Sequence, residues 1–592
     1  MNKLKLIIAT FIALICLTNC SKNDDEPVIE NPNSNPTTAG TLNLGATVNR
    51  DFIGQIINES NNPISGVTVT IGSSTKQTDV NGIFIIKNAS VKEQMAYITA
   101  TKTGYLDGSR SLLATAGTNN VKIMLMSSAV TQTINSGATS TVTLANGTKV
   151  TFDGTFKTET GTAYSGPVSV VVKHLDPADA NVGLKMPGML LAQNAAGQAQ
   201  ALKTFGMIDV VLLGTSGQKL QITNPAQIEL PIASTQLASA PATIPLWHFD
   251  QTAGYWIEEG VATKVGNVYK GTVSHFSWWN CDFPYDKANL TIKVVNTAGN
   301  PIANVSVAIL PSGYAYAPTG TTNALGLVSG IIPANLTYDI KIYDTCGVLI
   351  LTQPQTALAT NSTTTLPNIV LSSAVVSNTL VTGTLLKCDN SNVTNGYVIM
   401  NYGSQQSAVT VTNGAFSFSS LVCSTSTAFT LQGYDSDNLQ TTGLINSAFT
   451  LPNTVLGNIS VCTAVTEYIT YQIDGGSVVS VLSNLKVNNY QGTSLSISGG
   501  NSATPTGSNT FYLQGNSITP GTYTTANGFA LEGPFLIGLN YVSNATPNTL
   551  TFNLNSFGAV GQYVDLTFNG TYTDTATVVH TITGTVHAFR DN

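Results

Sequence analysis

The ten residues VSHFSWWNCD, which begin at Val273, combine a histidine, two serines, a cysteine and two adjacent tryptophans. The whole chain of 592 residues contains only five histidines and four tryptophans. Read as a β-strand, residues 273–280 place large aromatic side chains on both faces of the strand. The predicted faces are Ser274, Phe276 and Trp278 on one side, and His275, Ser277 and Trp279 on the other. Such a strand could belong to a core, an active site or a binding surface.

Two interpretations of this stretch involve no reaction. In the first, the aromatic residues pack as a domain core and two polar residues, His275 and Ser277, form hydrogen bonds at its edge. The predicted packing partners are Trp247, Tyr255 and Trp256. In the second interpretation, Trp279 and neighbouring aromatic residues form a platform on which a sugar ring stacks. The first predicts a structural element, and the second predicts a glycan site.

The third interpretation is a self-cleaving peptide bond. His275-Phe276-Ser277 resembles the HFS self-cleavage motif of certain ZU5-containing death-domain adaptor proteins. The resemblance implies that the Ser277 hydroxyl attacks the Phe276 carbonyl in an N-to-O acyl shift, with His275 as a nearby base, and that water then splits the ester. Residues i and i+2 on one strand face lie about 7 Å apart, so a contact between His275 and Ser277 requires a backbone kink.

Other enzyme chemistry lacks the necessary residue patterns. Neither HExxH nor HxxE with a distant histidine occurs, and the five histidines are dispersed, so we predict no metal ligand set and no cofactor. Glu258 and Glu259 are adjacent, hence on opposite strand faces, whereas the carboxylates of a glycosidase must converge. The net charge of −7 includes no basic block, so nucleic acid is not an expected partner.

The cysteines are candidates for disulfides, because an exported protein meets an oxidising compartment. Of the seven, Cys16 and Cys20 belong to the N-terminal leader, which leaves an odd number: Cys281, Cys346, Cys388, Cys423 and Cys462. Pairing Cys388 or Cys423 with Cys462 would cross-link one C-terminal module, and Cys281 with Cys346 is a second candidate pair. One cysteine must then be free. No CxxC spacing exists, which argues against a metal or redox site.

The N-terminus has the pattern of a lipoprotein leader. Lys3 and Lys5 precede a short apolar stretch, Leu6–Leu17, which is too short to span a bilayer. The following LTNC resembles the lipobox of bacterial lipoproteins, with Cys20 as the lipidated residue and Asn19 in place of the usual small residue. An ordinary secretory signal is the alternative. Ser21 after the cysteine and the acidic KNDDE favour an outer-membrane protein that faces the cell exterior. We therefore predict a signal peptide over 1–19 and a lipidated, flexible tether over 20–45.

The remainder of the chain predicts an all-β protein of tandem β-sandwich domains. Charged residues make up only 9 %, against about 25 % in an average soluble protein. Short alternating stretches such as VTVTI recur between Gly, Asn and Pro turn signals. One pattern repeats: Asn62-Pro63-Ile64 with Val67 and Val69 returns as Asn300-Pro301-Ile302 with Val305 and Val307. The Asn-Pro pair turns the chain and the alternating valines face a core.

These repeats resemble the carboxypeptidase regulatory-like domain, a seven-stranded sandwich of transthyretin-like type that is a non-catalytic companion of zinc carboxypeptidases. The resemblance covers residues 46–126 (the first module), 288–374 (the second module) and, in degenerate form, 375–465 (the third module). In the first two modules TDVNGIF (78–84) matches TNALGLV (322–328), and in the third VTNGAFSF (411–418) supplies an Asn-Gly hairpin.

Residues 127–287, the middle region, resemble a ZU5-like β-domain of the kind found in cartilage-intermediate-layer-like proteins, through PLWHFD, GYWIEEG and SHFSWWN. TVTLANGTKVTF (141–152) predicts a hairpin at Asn146-Gly147. Residues 466–592, the C-terminal domain, predict an antiparallel β-domain whose last strand closes the sheet. Together these features predict a non-enzymatic, lipid-anchored surface protein that acts as a modular stalk and interaction protein of the adhesion type. The expected partners are glycans or surface proteins, and the alternatives are a carbohydrate-binding accessory lipoprotein or a protein self-cleaved at Phe276–Ser277.

Overall fold

The computed structural model describes residues 42–591, except for 80, 313, 315–317, 373–376, 404, 424–425, 439, 465–466, 477, 482–483, 501–509 and 561–562. The predicted signal peptide, Cys20 and the tether up to residue 41 lie outside the described residues. Helices in the described ranges are limited to α1 (Val182–Lys185) and the 3-10 turns Ser234–Ser239 and Thr525–Asn527. None of these helices is long and apolar enough to cross a membrane. The predicted all-β fold class is therefore confirmed.

The first module consists of two sheets around one core. Its strands are β1 (Thr47–Asn58), β2 (Thr68–Ile71), β3 (Ser74–Gln77), β4 (Ile83–Lys92), β5 (Ala96–Thr101), β6 (Gly108–Leu112) and β7 (Thr118–Leu125). The sheet orders are β4-β1-β7 and β3-β2-β5-β6, with β1 antiparallel to β4 and parallel to β7. Apolar side chains from both sheets, including Phe52 and Ile98, form the core.

The middle region folds as one extensively hydrogen-bonded sheet that closes on itself. Its strands are β8 (Gln132–Asn135), β9 (Ser140–Thr143), β10 (Lys149–Phe152), β11 (Phe156–Thr158), β12 (Ala163–Tyr164), β13 (Pro167–Leu175), β14 (Leu191–Gln193), β15 (Ala199–Leu213), β16 (Lys219–Ile222), β17 (Ala226–Pro231), β18 (Thr243–Asp250), β19 (Tyr255–Val265), β20 (Val268–Val273) and β21 (Trp278–Asn296). The predicted hairpin at Asn146-Gly147 is present as the antiparallel pair β9–β10.

The second module shares a strand with the middle region. The first half of β21 pairs with β15 and β18, and its second half pairs with strands of the second module. These are β22 (Ser306–Pro311), β23 (Thr319–Thr321), β24 (Leu327–Pro333), β25 (Tyr338–Tyr343), β26 (Leu349–Gln355), β27 (Thr363–Thr365) and β28 (Ile369–Leu371). The expected boundary between residues 287 and 288 therefore lies inside a continuous strand, because no linker separates the two cores.

The third module has the strands β29 (Ser377–Leu386), β30 (Gly396–Tyr402), β31 (Gln405–Thr410), β32 (Ala415–Val422), β33 (Ala428–Asp435), β34 (Gln440–Thr441), β35 (Ile445–Ala448), β36 (Asn453–Ser460) and β37 (Thr463–Ala464). Asn413 and Gly414 both have positive φ and turn the chain between β31 and β32. The predicted hairpin is wrong, because β31 pairs with β30 in one sheet and β32 pairs with β29 in the other. As β1 does in the first module, β29 pairs antiparallel with β32 and parallel with β36.

The three modules therefore repeat one topology. In the second module the second half of β21 takes the place of β1, with β24 antiparallel to it and β27 and β28 parallel to it. The repeated valines are buried in both clear copies, as predicted. A threonine supports each copy in the same way: Thr78 Oγ1 donates to Ile64 O at 2.7 Å, and Thr322 Oγ1 donates to Ile302 O at 2.8 Å.

The C-terminal domain contains β38 (Tyr468–Ile473), β39 (Val479–Val481), β40 (Lys486–Tyr490), β41 (Ser494–Gly500), β42 (Thr510–Gly515), β43 (Gly521–Thr524), β44 (Ala530–Glu532), β45 (Tyr541–Val542), β46 (Thr551–Phe557), β47 (Tyr563–Thr573) and β48 (Val579–Phe589). They form two antiparallel sheets around one core. The last strand, β48, lies between β38 and β47. It therefore joins the first strand of the domain to β47 within one antiparallel sheet.

The modules pack against one another. Tyr397 of the third module donates a hydrogen bond to Asp79 of the first, and accepts one from Asn81 at 3.0 Å. Asn323 of the second module donates to Thr115 Oγ1 of the first at 2.8 Å. The first and third modules thus touch directly although more than 300 residues separate Asp79 from Tyr397 in the chain.

Two disulfides lie in the C-terminal half of the chain. Cys388–Cys462, one of the predicted pairs, cross-links the third module. Cys346–Cys423, with a Cα–Cα distance of 6.1 Å, joins the second module to the third. The predicted pair of Cys281 and Cys346 is wrong, since Cys346 is bonded to Cys423 and Cys281 is the free, buried cysteine. Burial raises the pKa of the Cys281 thiol well above its usual value, so the thiol is protonated and unreactive at neutral pH.

Candidate functional site

The stretch that contains His275 is a bend between two strands. β20 ends at Val273 and β21 begins at Trp278, so residues 274–277 are not part of a strand. The prediction of one continuous strand over 273–280 is therefore wrong.

The two tryptophans that follow the bend are buried on opposite faces of β21. Trp279 belongs to the central core of the middle region, together with Phe276 and Cys281. Trp278 packs with Trp247 and Trp256 in a second core that also includes Leu106 and Met126 of the first module. The core interpretation is thus confirmed for the tryptophans. Trp279 is 1 % exposed, so the proposed sugar-stacking platform on this residue is wrong: its ring offers no face to a ligand.

A side chain from a distant strand holds the bend. Gln221, on β16, accepts a hydrogen bond from the Phe276 backbone N–H at 2.8 Å and donates one to the Phe276 carbonyl oxygen at 2.7 Å. The Trp279 indole N–H donates to the His275 carbonyl oxygen at 2.9 Å. The backbone of the bend is therefore fixed at two consecutive residues by side chains that are anchored in regular strands.

The structure pairs His275 and Ser277 with different partners. Ser277 Oγ donates to the Trp278 carbonyl oxygen at 3.1 Å. The His275 imidazole turns the other way, with Nε2 3.3 Å from Glu259 Oε2. The Phe276 carbonyl group lies between these two residues, and its oxygen accepts the hydrogen bond from the Gln221 side-chain amide.

His248 completes a cluster with His275 and Glu259. His248 Nε2 lies 3.6 Å from Glu259 Oε2, the same oxygen that faces His275. The two imidazole rings are perpendicular, with centroids 4.8 Å apart. One potential ligand atom from each of the three residues lies within 4.8 Å of the other two. The sequence does not predict this cluster, because the histidines are far apart along the chain.

Strand pairing explains why these residues meet. His248 on β18 lies directly opposite Ile257 on β19 and Trp279 on β21, and directly opposed residues point to the same face. Glu259 follows Ile257 by two positions, so it shares that face. The β18–β19 register shifts next to Glu259, where Gly260 has φ +88°, as in a glycine β-bulge. A glycine inside a strand pattern was the available sequence signal.

Electrostatic interactions couple the three groups. Burial lowers the pKa of His248, the neighbouring His275 lowers it further, and Glu259 and Asp250 oppose both effects. Burial raises the pKa of Glu259, but a hydrogen bond from Ser274 Oγ and the two imidazoles outweigh it, so its pKa lies below the usual value. Glu259 is thus an anion at neutral pH.

A second group of potential ligands is not available for metal binding. Asp344, Cys346 and Cys423 lie close together. Their two sulfur atoms form the disulfide between the second and third modules, and disulfide sulfurs are not thiolate ligands. Of these two groups among the described residues, only His248, Glu259 and His275 have all of their potential ligand atoms outside a disulfide.

Part of the middle region, including the bend, matches a known protein family. The family described as FAM171A1/A2/B, N-terminal, matches residues 166–278. Cartilage intermediate layer protein 2 from Homo sapiens is 28 % identical over 115 residues, and its Mus musculus counterpart is 27 % identical over 121 residues. These matches cover 19 % and 20 % of this chain, and the chain spans only 10 % of the length of either relative. The expected resemblance to cartilage-intermediate-layer-like proteins is confirmed at this level.

Among solved structures, a streptococcal ancillary pilin is 11 % identical, and the match covers 37 % of this chain and 92 % of that one. The TM-score is 0.13, so this likeness carries no inference.

Proposed function

We propose that this chain is a non-enzymatic, lipid-anchored cell-surface protein whose β-modules form an interaction head of the adhesion type. The observation that carries the proposal is the threefold repetition of one sandwich topology in the first, second and third modules. Repeated sandwiches bring large, stable surfaces to a partner without requiring catalytic residues.

The packing of the modules favours a compact head over an extended stalk. In an extended stalk of successive domains, the first and third modules would not touch. Here the two modules share a small apolar cluster, formed by Ile53 and Ile83 of the first module and Tyr397 and Ile399 of the third. The continuous strand β21 and the disulfide Cys346–Cys423 link neighbouring modules further. In this proposal the reach from the membrane comes from the tether over 20–45, and the partner is a glycan or a surface protein.

Anchoring and exposure test this proposal together. Wild-type protein should sediment with outer membranes, and externally added protease should degrade it on intact cells. Cys20→Ala should release the protein, because the acyl chains provide the membrane affinity. Ser21→Ala is the matched control and should remain membrane-bound. Membrane association that is unchanged in Cys20→Ala, or complete protection from protease on intact cells, would contradict the proposal.

A second candidate function, self-cleavage between Phe276 and Ser277, is favoured by one observation. Gln221 Nε2 donates to the Phe276 carbonyl oxygen at 2.7 Å, where it would stabilise the oxyanion that forms when a nucleophile attacks that carbonyl carbon. In the proposed reaction Ser277 Oγ bonds to the Phe276 carbonyl carbon and the Phe276–Ser277 C–N bond breaks. The proton lost by the hydroxyl passes to the Ser277 nitrogen, which leaves as an amine. Water then hydrolyses the ester to a Phe276 carboxylate and restores the hydroxyl.

Intact mass under denaturing conditions tests the cleavage. Cleaved protein gives two fragments, one ending at Phe276 and one beginning at Ser277. Ser277→Ala should abolish them, Gln221→Leu should slow their formation, and Ser274→Ala, in the same bend, should still be cleaved. A single full-length mass for the wild-type protein after prolonged incubation excludes this function.

A further inference from the structure

The cluster of His248, Glu259 and His275 combines the ligand types of a three-residue metal site. Neutral imidazole nitrogen and carboxylate oxygen are common zinc ligands, and two histidines with one glutamate form the protein ligand set of several zinc enzymes. Both histidines direct Nε2 toward the same atom, Glu259 Oε2, at 3.6 Å and 3.3 Å. A simple ion pair needs only one imidazole for each carboxylate oxygen, whereas here two imidazoles face the same oxygen.

The distances fit tetrahedral coordination. With metal–ligand bonds of about 2.1 Å, two ligand atoms are about 3.4 Å apart in a tetrahedron and about 3.0 Å apart in an octahedron. The two measured separations, 3.6 Å and 3.3 Å, bracket the tetrahedral value. The remaining pair, the two histidine nitrogens, lies within 4.8 Å, so a small rotation of one ring closes the site.

The three side chains are held before any ion arrives. His248 and Glu259 lie on adjacent strands whose register is fixed on both sides by β21 and β20. His275 lies in the bend that Gln221 and Trp279 hold through its backbone. The Ser274 hydroxyl donates to Glu259 Oε1 and leaves Oε2 directed at the histidines. Such outer partners, which orient a ligand through its second atom, are typical of metal sites.

Solvent can reach the cluster from one side. The side chains of His275 and Glu259 are 35 % and 39 % exposed, whereas that of His248 is 17 % exposed. An ion can therefore enter, and a water molecule can occupy a fourth position. Three protein ligands plus an accessible fourth position is the arrangement of an open zinc site.

From these contacts we propose that His248, Glu259 and His275 bind one divalent transition-metal ion of the zinc class. The ion fastens the bend at residues 274–277 to β18 and β19. This binding is independent of the proposed surface function, and it also holds the His275 imidazole away from Ser277.

Titration of the untagged, chelator-treated protein with Zn²⁺ and Co²⁺ tests the site. Isothermal titration should give one Zn²⁺ per chain, and Co²⁺ should produce the intense visible absorption of tetrahedral coordination. Glu259→Gln keeps the size and the acceptor for Ser274 but removes the anionic ligand. Both Glu259→Gln and His275→Gln should weaken Zn²⁺ binding by more than the roughly 10- to 100-fold that loss of an outer partner costs. Ser274→Ala should weaken it within that range.

Two matched controls separate ligation from nonspecific binding. Glu258→Gln removes the neighbouring carboxylate, which accepts from the Ala195 N–H instead of facing the histidines. His587→Gln removes a histidine that pairs with a single carboxylate, Asp565, at 2.5 Å. Both should bind Zn²⁺ as the wild type does. Thermal unfolding with and without Zn²⁺ verifies folding: Zn²⁺ should raise the melting temperature of the wild type and of both controls, but not of Glu259→Gln.

The proposal is overturned if neither heat nor absorption changes at metal concentrations on the order of 100 µM, where a Kd of 1 µM would be saturated. It is also overturned if Zn²⁺ binds equally well to Glu259→Gln and His275→Gln. In either case the cluster is only an imidazole–carboxylate pair. The cell-surface proposal is unaffected, because its test depends on Cys20 and on exposure of the chain.

Discussion

Removal of the Cys346–Cys423 disulfide should loosen the second and third modules together. The bond connects residues on two different modules that are 77 positions apart in sequence. Next to it, Leu421 of the third module is buried in the core of the second, and Thr345 Oγ1 donates to the Leu421 carbonyl oxygen at 2.9 Å. The variant that tests this coupling is Cys346→Ala with Cys423→Ala.

The size of the effect follows from the length of chain that the bond closes. For a separation of 77 residues the loop-entropy relation gives about 4.5 kcal/mol at 25 °C. Native disulfides in small domains contribute about 2–5 kcal/mol, so we expect a loss of about 2–4 kcal/mol. Since about 1.4 kcal/mol is a factor of ten, amide exchange that depends on opening of this unit should become roughly 30- to 1000-fold faster.

Hydrogen exchange with peptide resolution is the assay. In the double variant, exchange should accelerate in β22 and β25 of the second module as well as in β32 of the third. The control is Cys388→Ala with Cys462→Ala, which opens a loop of similar separation, 74 positions, within the third module alone. The control should accelerate exchange in β32 but leave β22 and β25 near the wild-type rates. The coupling would be refuted if β22 and β25 exchanged as slowly in the variant Cys346→Ala, Cys423→Ala as they do in the wild type.

Three further predictions concern buried groups. Burial raises the pKa of Asp79 to about 6 in the folded protein. The free energy of unfolding should therefore be highest below about pH 4, where Asp79 is protonated, and should fall by about 3 kcal/mol as pH rises through 6. Asp79→Asn should flatten this decline in urea titrations at a series of pH values. Trp279→Ala should cost about 3–5 kcal/mol in denaturant unfolding, because the ring is fully buried, whereas the exposed Val261→Ala should change stability by less than about 0.5 kcal/mol. Gly54→Ala should lower the melting temperature of the first module by calorimetry, since a Cβ there would lie 2.4 Å from the Phe84 ring and 2.6 Å from the Val121 carbonyl oxygen. Gly330→Ala is the control, because a Cβ at that position would have no atom within 4 Å.

The sequence predicted the repeated modules well because their signals are local. Because alternate side chains of a strand point to the same face, the valines after Asn-Pro-Ile must all face the core together. All four are buried: Val67, Val69, Val305 and Val307. The Asn413-Gly414 turn is equally local, since both residues tolerate positive φ. Even the degenerate third copy kept the topology of the first.

The candidate site could not be predicted, because it depends on strand register. The bend at residues 274–277 is held by Gln221, which lies 55 positions away from Phe276 in sequence. The meeting of His248 with His275 follows from the pairing of β18 with both β19 and β21, which no short pattern encodes. The disulfide partner of Cys346 was missed for the same reason: sequence alone allows several pairings among five cysteines, and only the packing of two modules decides between them.

Attachment under shear is the measurement that tests the proposed function most directly. Cells that lack the chain, cells that display the wild type and cells that carry Cys20→Ala should be compared on surfaces coated with polysaccharide or with extracellular protein. We predict that displayed wild-type protein increases the shear needed for detachment on one class of coating, and that Cys20→Ala abolishes the increase. Equal detachment of all three strains on every coating would contradict an interaction head at the cell surface.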